Sequence, residues 1–128
     1  MAIGYVTIGA LDSKKSVAFY DALLGAIGYE RAFFQDNGWA GWGPKGTSTQ
    51  DVFVCPPFDG TPARAGNGIM IAFKAGSQAE VQAAHKAALA NGGTDEGAPG
   101  FRPPDGKAWY GAYARDPTGN KICIFWSA

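Results

Sequence analysis

Apolar and polar positions alternate along this chain in two rhythms, and each rhythm occurs twice. Residues 5–10 form a β-rich apolar run. After it, Asp12 or Ser13 can cap a helix whose Val17, Tyr20, Leu24 and Ile27 recur at helical spacing until Gly28 stops it. Residues 68–73 repeat the apolar run. There Ser77 and Glu80 have the spacing of a capping box, Val81, Ala84, Ala88 and Leu89 mark the helix face, and Gly92 and Gly93 end the helix. The segments YVTIGALDSKKSVAFYDALLGAIG (5–28) and MIAFKAGSQAEVQAAHKAALANGG (70–93) therefore read as two copies of one strand-helix unit, with Tyr5 and Met70 at corresponding heads. A duplicated unit has a seam, and matching residues of the two halves face one another there.

Between and after the copies the pattern switches to strands. Residues 29–34 predict one, Asn37-Gly38-Trp39-Ala40-Gly41-Trp42 predicts a hairpin turn leading into another, and residues 51–55 predict a third. PPFDGTPARAGNG is too rich in Pro and Gly for regular structure and is the natural linker. In the second half, residues 97–106 read as a long Gly/Pro loop. A strand follows at 109–114, then the turn Asp116-Pro117-Thr118-Gly119-Asn120, then a last strand at 121–126. The first half reads β-α-β-β-β, and the second is expected to repeat that order. The expected class is α+β: a single domain, 1–128, made of module one (about 1–58), a linker (about 59–67) and module two (about 68–128), with both modules sharing one core and helices outside a curved, barrel-like sheet.

Composition narrows the function. Acidic and basic residues balance at 11 each, and no basic run interleaved with aromatics appears, which argues against a nucleic-acid partner. The start MAIGYVTIG lacks a signal-peptide pattern and no apolar run reaches membrane-spanning length, so no membrane association and a cytoplasmic location are the expectation. Cys55 and Cys123 are too few for a disulfide scaffold and do not form a zinc-type pair.

The order of elements, together with SVAFYDALLGAIGYE, AAHKAALANGGTDEGAPG and YGAYARDPTGNKI, resembles the vicinal oxygen chelate superfamily, which holds glyoxalases, bleomycin-resistance proteins and ring-cleaving dioxygenases. The resemblance covers nearly the whole chain. It implies paired βαβββ modules around a cupped mixed sheet, often a homodimer, and in many members a divalent metal held by His, Glu or Gln from matching strands. Other members are metal-free and simply bind toxins.

Carried over position by position, the family's metal ligands are missing. The His expected before a Val-Thr-Leu-Gly-like run falls at Tyr5. The pattern Gly-x-His-Ile-Ala-Phe reads Gly68-Ile69-Met70-Ile71-Ala72-Phe73, and Gly-Asn-x-Ile-Glu reads Gly119-Asn120-Lys121-Ile122-Cys123; the fourth position falls at Phe53. Tyr5, Phe53, Met70 and Cys123 do not make the oxygen-and-imidazole shell that hard divalent ions require, so no metal and no cofactor are expected.

Other candidates remain. Cys123 is a potential nucleophile or, more simply, a small buried hydrophobe. His85, the chain's one histidine, sits at the border of a helix's apolar face, where packing or a hydrogen bond to backbone is the simplest role. Tyr5, Trp39, Trp42, Trp109, Tyr110 and Tyr113 could line a cavity for a flat molecule or fill a core. Strand alternation puts Trp109 and Tyr113 on one side and Tyr110 on the other, so at most one of these sets faces a pocket. Arg102 and Arg115 could pair with an anionic ligand.

The resulting expectation is a protein that binds a small, partly aromatic or apolar molecule in the cup around Tyr5, Phe53, Met70 and Cys123. Two alternatives stand beside it. One is a lyase or dioxygenase-like enzyme using a relocated metal site or Tyr5 and Cys123; the other is a fully packed structural or interaction module.

Overall fold

The computed structural model describes residues 2–128. Its elements run β1 (Val6–Gly9), α1 (Ser13–Gly25), β2 (Tyr29–Phe34), β3 (Ala40–Pro44), β4 (Val52–Cys55), β5 (Ile71–Lys74), α2 (Gln78–Ala90), β6 (Thr94–Phe101), β7 (Trp109–Arg115) and β8 (Lys121–Ser127). They form an α+β fold of two mixed four-stranded sheets, ordered β1-β4-β3-β2 and β5-β8-β7-β6. In each sheet the first and last strands of the unit run parallel and the rest antiparallel, so the duplication read from sequence is a duplication of topology. The sheets are cupped, without closing into one barrel. No described helix is long and apolar enough to cross a membrane.

Both helices begin where their caps predict. The Asp12 carboxylate accepts from the Lys15 amide at 3.2 Å, and the Ser77 hydroxyl from the Glu80 amide at 3.1 Å, each satisfying an amide that has no partner within the helix. Glu80 reaches back to the Gly76 amide, one residue earlier than a standard capping box. The helices pack on each other and on their own sheets. Val17, Tyr20, Leu23 and Leu24 of α1 join Val81, Ala84 and Ala88 of α2 and the helix-facing Ile8, Val54, Ala112, Ile122 and Ile124 in one continuous core.

Residues 97–106, expected as a loop, are strand as far as Phe101. β6 pairs with β7 through two irregularities, between Asp95 and Gly97 and between Gly97 and Gly100. It is the outer strand of its sheet, and an edge strand with bulges tolerates the Pro99 and glycines that argue against a central strand.

The DPTGN turn does more than reverse the chain. Asp116, buried, accepts the amides of Thr118, Gly119 and Asn120 and the Asn120 side-chain amide, all at 2.9–3.0 Å. Its second oxygen also accepts the Tyr20 hydroxyl of α1 at 2.7 Å. Asn120 donates to the Gly9 carbonyl, and the Thr118 hydroxyl accepts the Leu11 amide. The turn of module two is thus stapled to module one at three places. Burial and the neighbouring carboxylate hold the Tyr20 hydroxyl well above its usual pKa, so it remains a donor.

Candidate functional site

Strand alternation gives each sheet a face covered by its helix and an open face. On module one, Thr7 of β1 pairs in parallel register with Phe53 of β4; on module two, Ala72 of β5 pairs with Cys123 of β8. Thr7 and Ala72 are 65 positions apart, the same interval that separates Tyr5 from Met70, so Phe53 and Cys123 are structural equivalents. Tyr5 and Met70 each stand immediately before their strand.

The open face of module one is an aromatic cluster. The Tyr5 ring meets Phe53 edge-on at 5.4 Å, and Phe33 and Trp39 each lie 6.2 Å from Phe53. Gly41, opposite Phe53 in the ladder, makes room: a β-carbon there would stand 2.7 Å from Phe33 and 3.0 Å from Phe53. Beside the cluster, Thr7, Gly9, Trp39, Cys55, Pro56 and Phe58 border a groove of about 570 Å³, within the size range of small-molecule sites. Tyr5 is 64% exposed and Trp39 37%, so these rings are available rather than packed.

Module two's open face is aromatic and cationic. Trp109 and Phe125 stack at 5.6 Å with their planes 11° apart, and Tyr113 lies 6.3 Å from Trp109. Gly111 lets the indole fold across the sheet, since a β-carbon there would stand 2.2 Å from the ring. The Arg102 guanidinium lies 5.8 Å from the Tyr113 ring centre and the Lys121 ammonium 5.5 Å from it, each within cation–π range. Cys123, opposite Tyr113, is fully buried. Burial pushes its thiol up to about 11 against the opposing pull of Arg102 and Lys121.

At the seam, a cavity of about 80 Å³ is bordered by Thr7, Ile8, Gly9, Met70, Ile71 and Lys121 among others; it is too small for a ligand. A larger groove of about 560 Å³ opens beside it between loop 65–70, Arg115 and Lys121.

The predicted site residues therefore separate into groups. Tyr5, Phe53 and Trp39 come together on one open face, Trp109, Tyr113, Arg102 and Cys123 on the other, and Met70, 41% exposed, sits at the seam. Tyr110 does not join them. It lies on the helix-covered face, buried, with its hydroxyl accepting from Gln82 of α2 at 2.9 Å and its ring against Phe101. Trp42 is likewise core, its indole donating to Asp21. Arg115 is occupied by Glu96 and the Gly119 carbonyl. His85, buried on α2, pairs through Nε2 with the Asp95 carboxylate at 3.0 Å rather than with backbone. Lys121, Phe125 and Phe33 were missed; for the first two the signal was available, because alternation along β8 puts them on the face of Cys123.

The donor set does not suit the family's divalent metal. Phe53 offers no donor, Met70 a thioether, and Cys123 a protonated thiol beside two cations that would repel a metal ion. Among the described residues no three His, Cys, Asp or Glu side chains gather at metal-binding spacing.

Comparison with known proteins is consistent with this architecture. The family model described as "Glyoxalase-like domain" matches residues 5–125. The chain is similar to a glyoxalase/bleomycin resistance protein from Albidiferax ferrireducens, with 36% identity over the whole of both chains and a TM-score of 0.87. A glyoxalase/bleomycin resistance protein/dioxygenase family enzyme from Burkholderia phytofirmans shares 19% identity over both full chains, with a TM-score of 0.71. A member of the same superfamily from Sphaerobacter thermophilus shares 22%, covering 99% of this chain and 98% of its own, with a TM-score of 0.64. No curated protein gave a significant match.

Proposed function

This chain belongs to the glyoxalase-like domain family, and we propose that it acts there as a metal-independent binder of a small, partly aromatic or apolar molecule held against the open sheet faces. The observation that carries this reading is that Phe53 and Cys123 occupy equivalent positions in the two modules, with exposed aromatics around one and cations near the other. The rings and cations around those positions favour stacking and charge contact over coordination. The grooves of about 560 and 570 Å³ argue for a ligand over a fully packed module.

Enzymatic use of Cys123 has less support. Its thiol is protonated near neutral pH, and the chain's histidine is committed to Asp95 on the helix side, away from a thiol it would have to touch.

The active unit in this proposal is a homodimer. Ile3, Tyr5, Leu11, Ile69 and Met70 are exposed apolar side chains flanking the first strands of the two modules, and a second copy would remove them from water.

Native mass spectrometry of the untagged protein, purified without chelators, tests the whole proposal. A dimer with a retained organic molecule and no bound metal is the expected spectrum. One divalent metal per subunit would overturn it.

A further inference from the structure

Two cations converge on one ring of module two without an acidic partner. Arg102 bonds only to carbonyls, through Nη2 to Ala98 at 2.9 Å and through Nη1 to Phe101 at 3.4 Å, which fix the guanidinium to the backbone of β6. Lys121 comes from β8. The ion pairs found among the described residues are Arg31–Asp21, His85–Asp95 and Arg115–Glu96, and neither Arg102 nor Lys121 takes part in one. Both are partly withdrawn from solvent. Each stands within cation–π range of Tyr113 with no carboxylate among the described residues to neutralise it, so an anionic group reaching either one gains a charge-assisted contact that this face does not already supply. Lys121 also borders the groove of about 560 Å³.

We propose that Arg102 and Lys121 form an oxyanion subsite beside Tyr113, so that the ligand is an aromatic acid whose ring rests on Trp109 and Phe125. The inference rests on the binding reading above and narrows its ligand class: carboxylate, sulfonate and phosphate monoester share the chemistry that Arg's fork and Lys's point charge recognise. A cationic or neutral aromatic of the same size gains nothing from either group. Arg115, the other arginine near this sheet, contributes no free fork because Glu96 and the Gly119 carbonyl hold it.

Naphthoate, naphthamide and naphthylmethylammonium serve as probes of one shape and three charges, with binding followed by tryptophan fluorescence. Naphthoate is expected to bind about tenfold more tightly than naphthamide, the scale of one charge-assisted hydrogen bond. The advantage should shrink as salt is raised. Lys121→Gln and Arg102→Gln should each erase most of it, whereas Lys86→Gln, on the exposed surface of α2, should keep it; a thermal melt of each variant checks the fold. Equal binding of naphthoate and naphthamide, or tightest binding of the ammonium probe, overturns the subsite while leaving the binding reading standing. Absence of binding by all three overturns both.

Discussion

Around Phe53 the open face gathers three further rings, Tyr5, Phe33 and Trp39. Around its counterpart Cys123 they are Tyr113 and, beyond it, Trp109 and Phe125, with Arg102 and Lys121 alongside. The helix-covered sides of the same sheets diverge far less. Both helices are 13 residues long, both are capped by an oxygen side chain, and both bury one face against strands of the same topology. Duplication has been kept where it builds the core and abandoned where a ligand would be met. The fold needs two equivalent modules; selective binding of an asymmetric molecule needs two different walls.

The staple that holds these modules together is the most sensitive point of that arrangement. Asp116→Ala leaves three backbone amides and the Tyr20 hydroxyl without their acceptor, and should cost about 3–5 kcal/mol in a denaturant titration. A loss under 1 kcal/mol would mean that the modules are joined by the helices alone.

Equivalence of the covered faces is tested by Val54→Ala and Ile124→Ala, both fully buried. Each should cost about 2–4 kcal/mol, the isoleucine more because a larger cavity remains. A much smaller cost at either site would show that its module's core is looser than its twin.

Titration separates the open faces. The folded state holds the Cys123 thiol at about 11, against an ordinary value of 9.0. Above pH 9 the unfolded chain ionises first and therefore binds fewer protons than the folded one. Stability is unaffected by this group below pH 9 and falls as pH rises from 9 toward 11, by about 2 kcal/mol. Cys123→Val should flatten that part of the profile; an unchanged slope would assign the loss to another group.

The smallest effect distinguishes the two glycines. Gly111→Ala pushes the Trp109 indole off the sheet and should shift tryptophan emission at a cost of about 1 kcal/mol. Gly41→Ala displaces the Phe33 and Phe53 rings at similar cost and should leave Trp109 emission unchanged.

Much of this was legible in the sequence. Helix caps, the module repeat and the equivalence of Tyr5 with Met70 follow from local spacing, because capping and periodicity are properties of neighbouring residues. β6 was hidden, since Gly and Pro mark loops until an adjacent strand pairs with them, and that partner lies beyond the next turn. Tyr110 and Tyr113 illustrate the same limit: alternation separates them, but only packing by α2 decides which side is covered. The reach of Asp116 across to Tyr20 spans 96 positions and leaves no local trace.

The central claim is that ligand binding belongs to the open faces and to organic molecules. Amide chemical-shift mapping of the isotopically labelled protein with naphthoate, and separately with Mn²⁺, tests it directly. Naphthoate should shift amides along β7 and β8 around Tyr113 and Cys123, leave those of Leu23 and Val81 in place, and Mn²⁺ should broaden none of the open-face signals selectively. Shifts confined to the helices, or selective Mn²⁺ broadening at Phe53 and Cys123, would contradict the account.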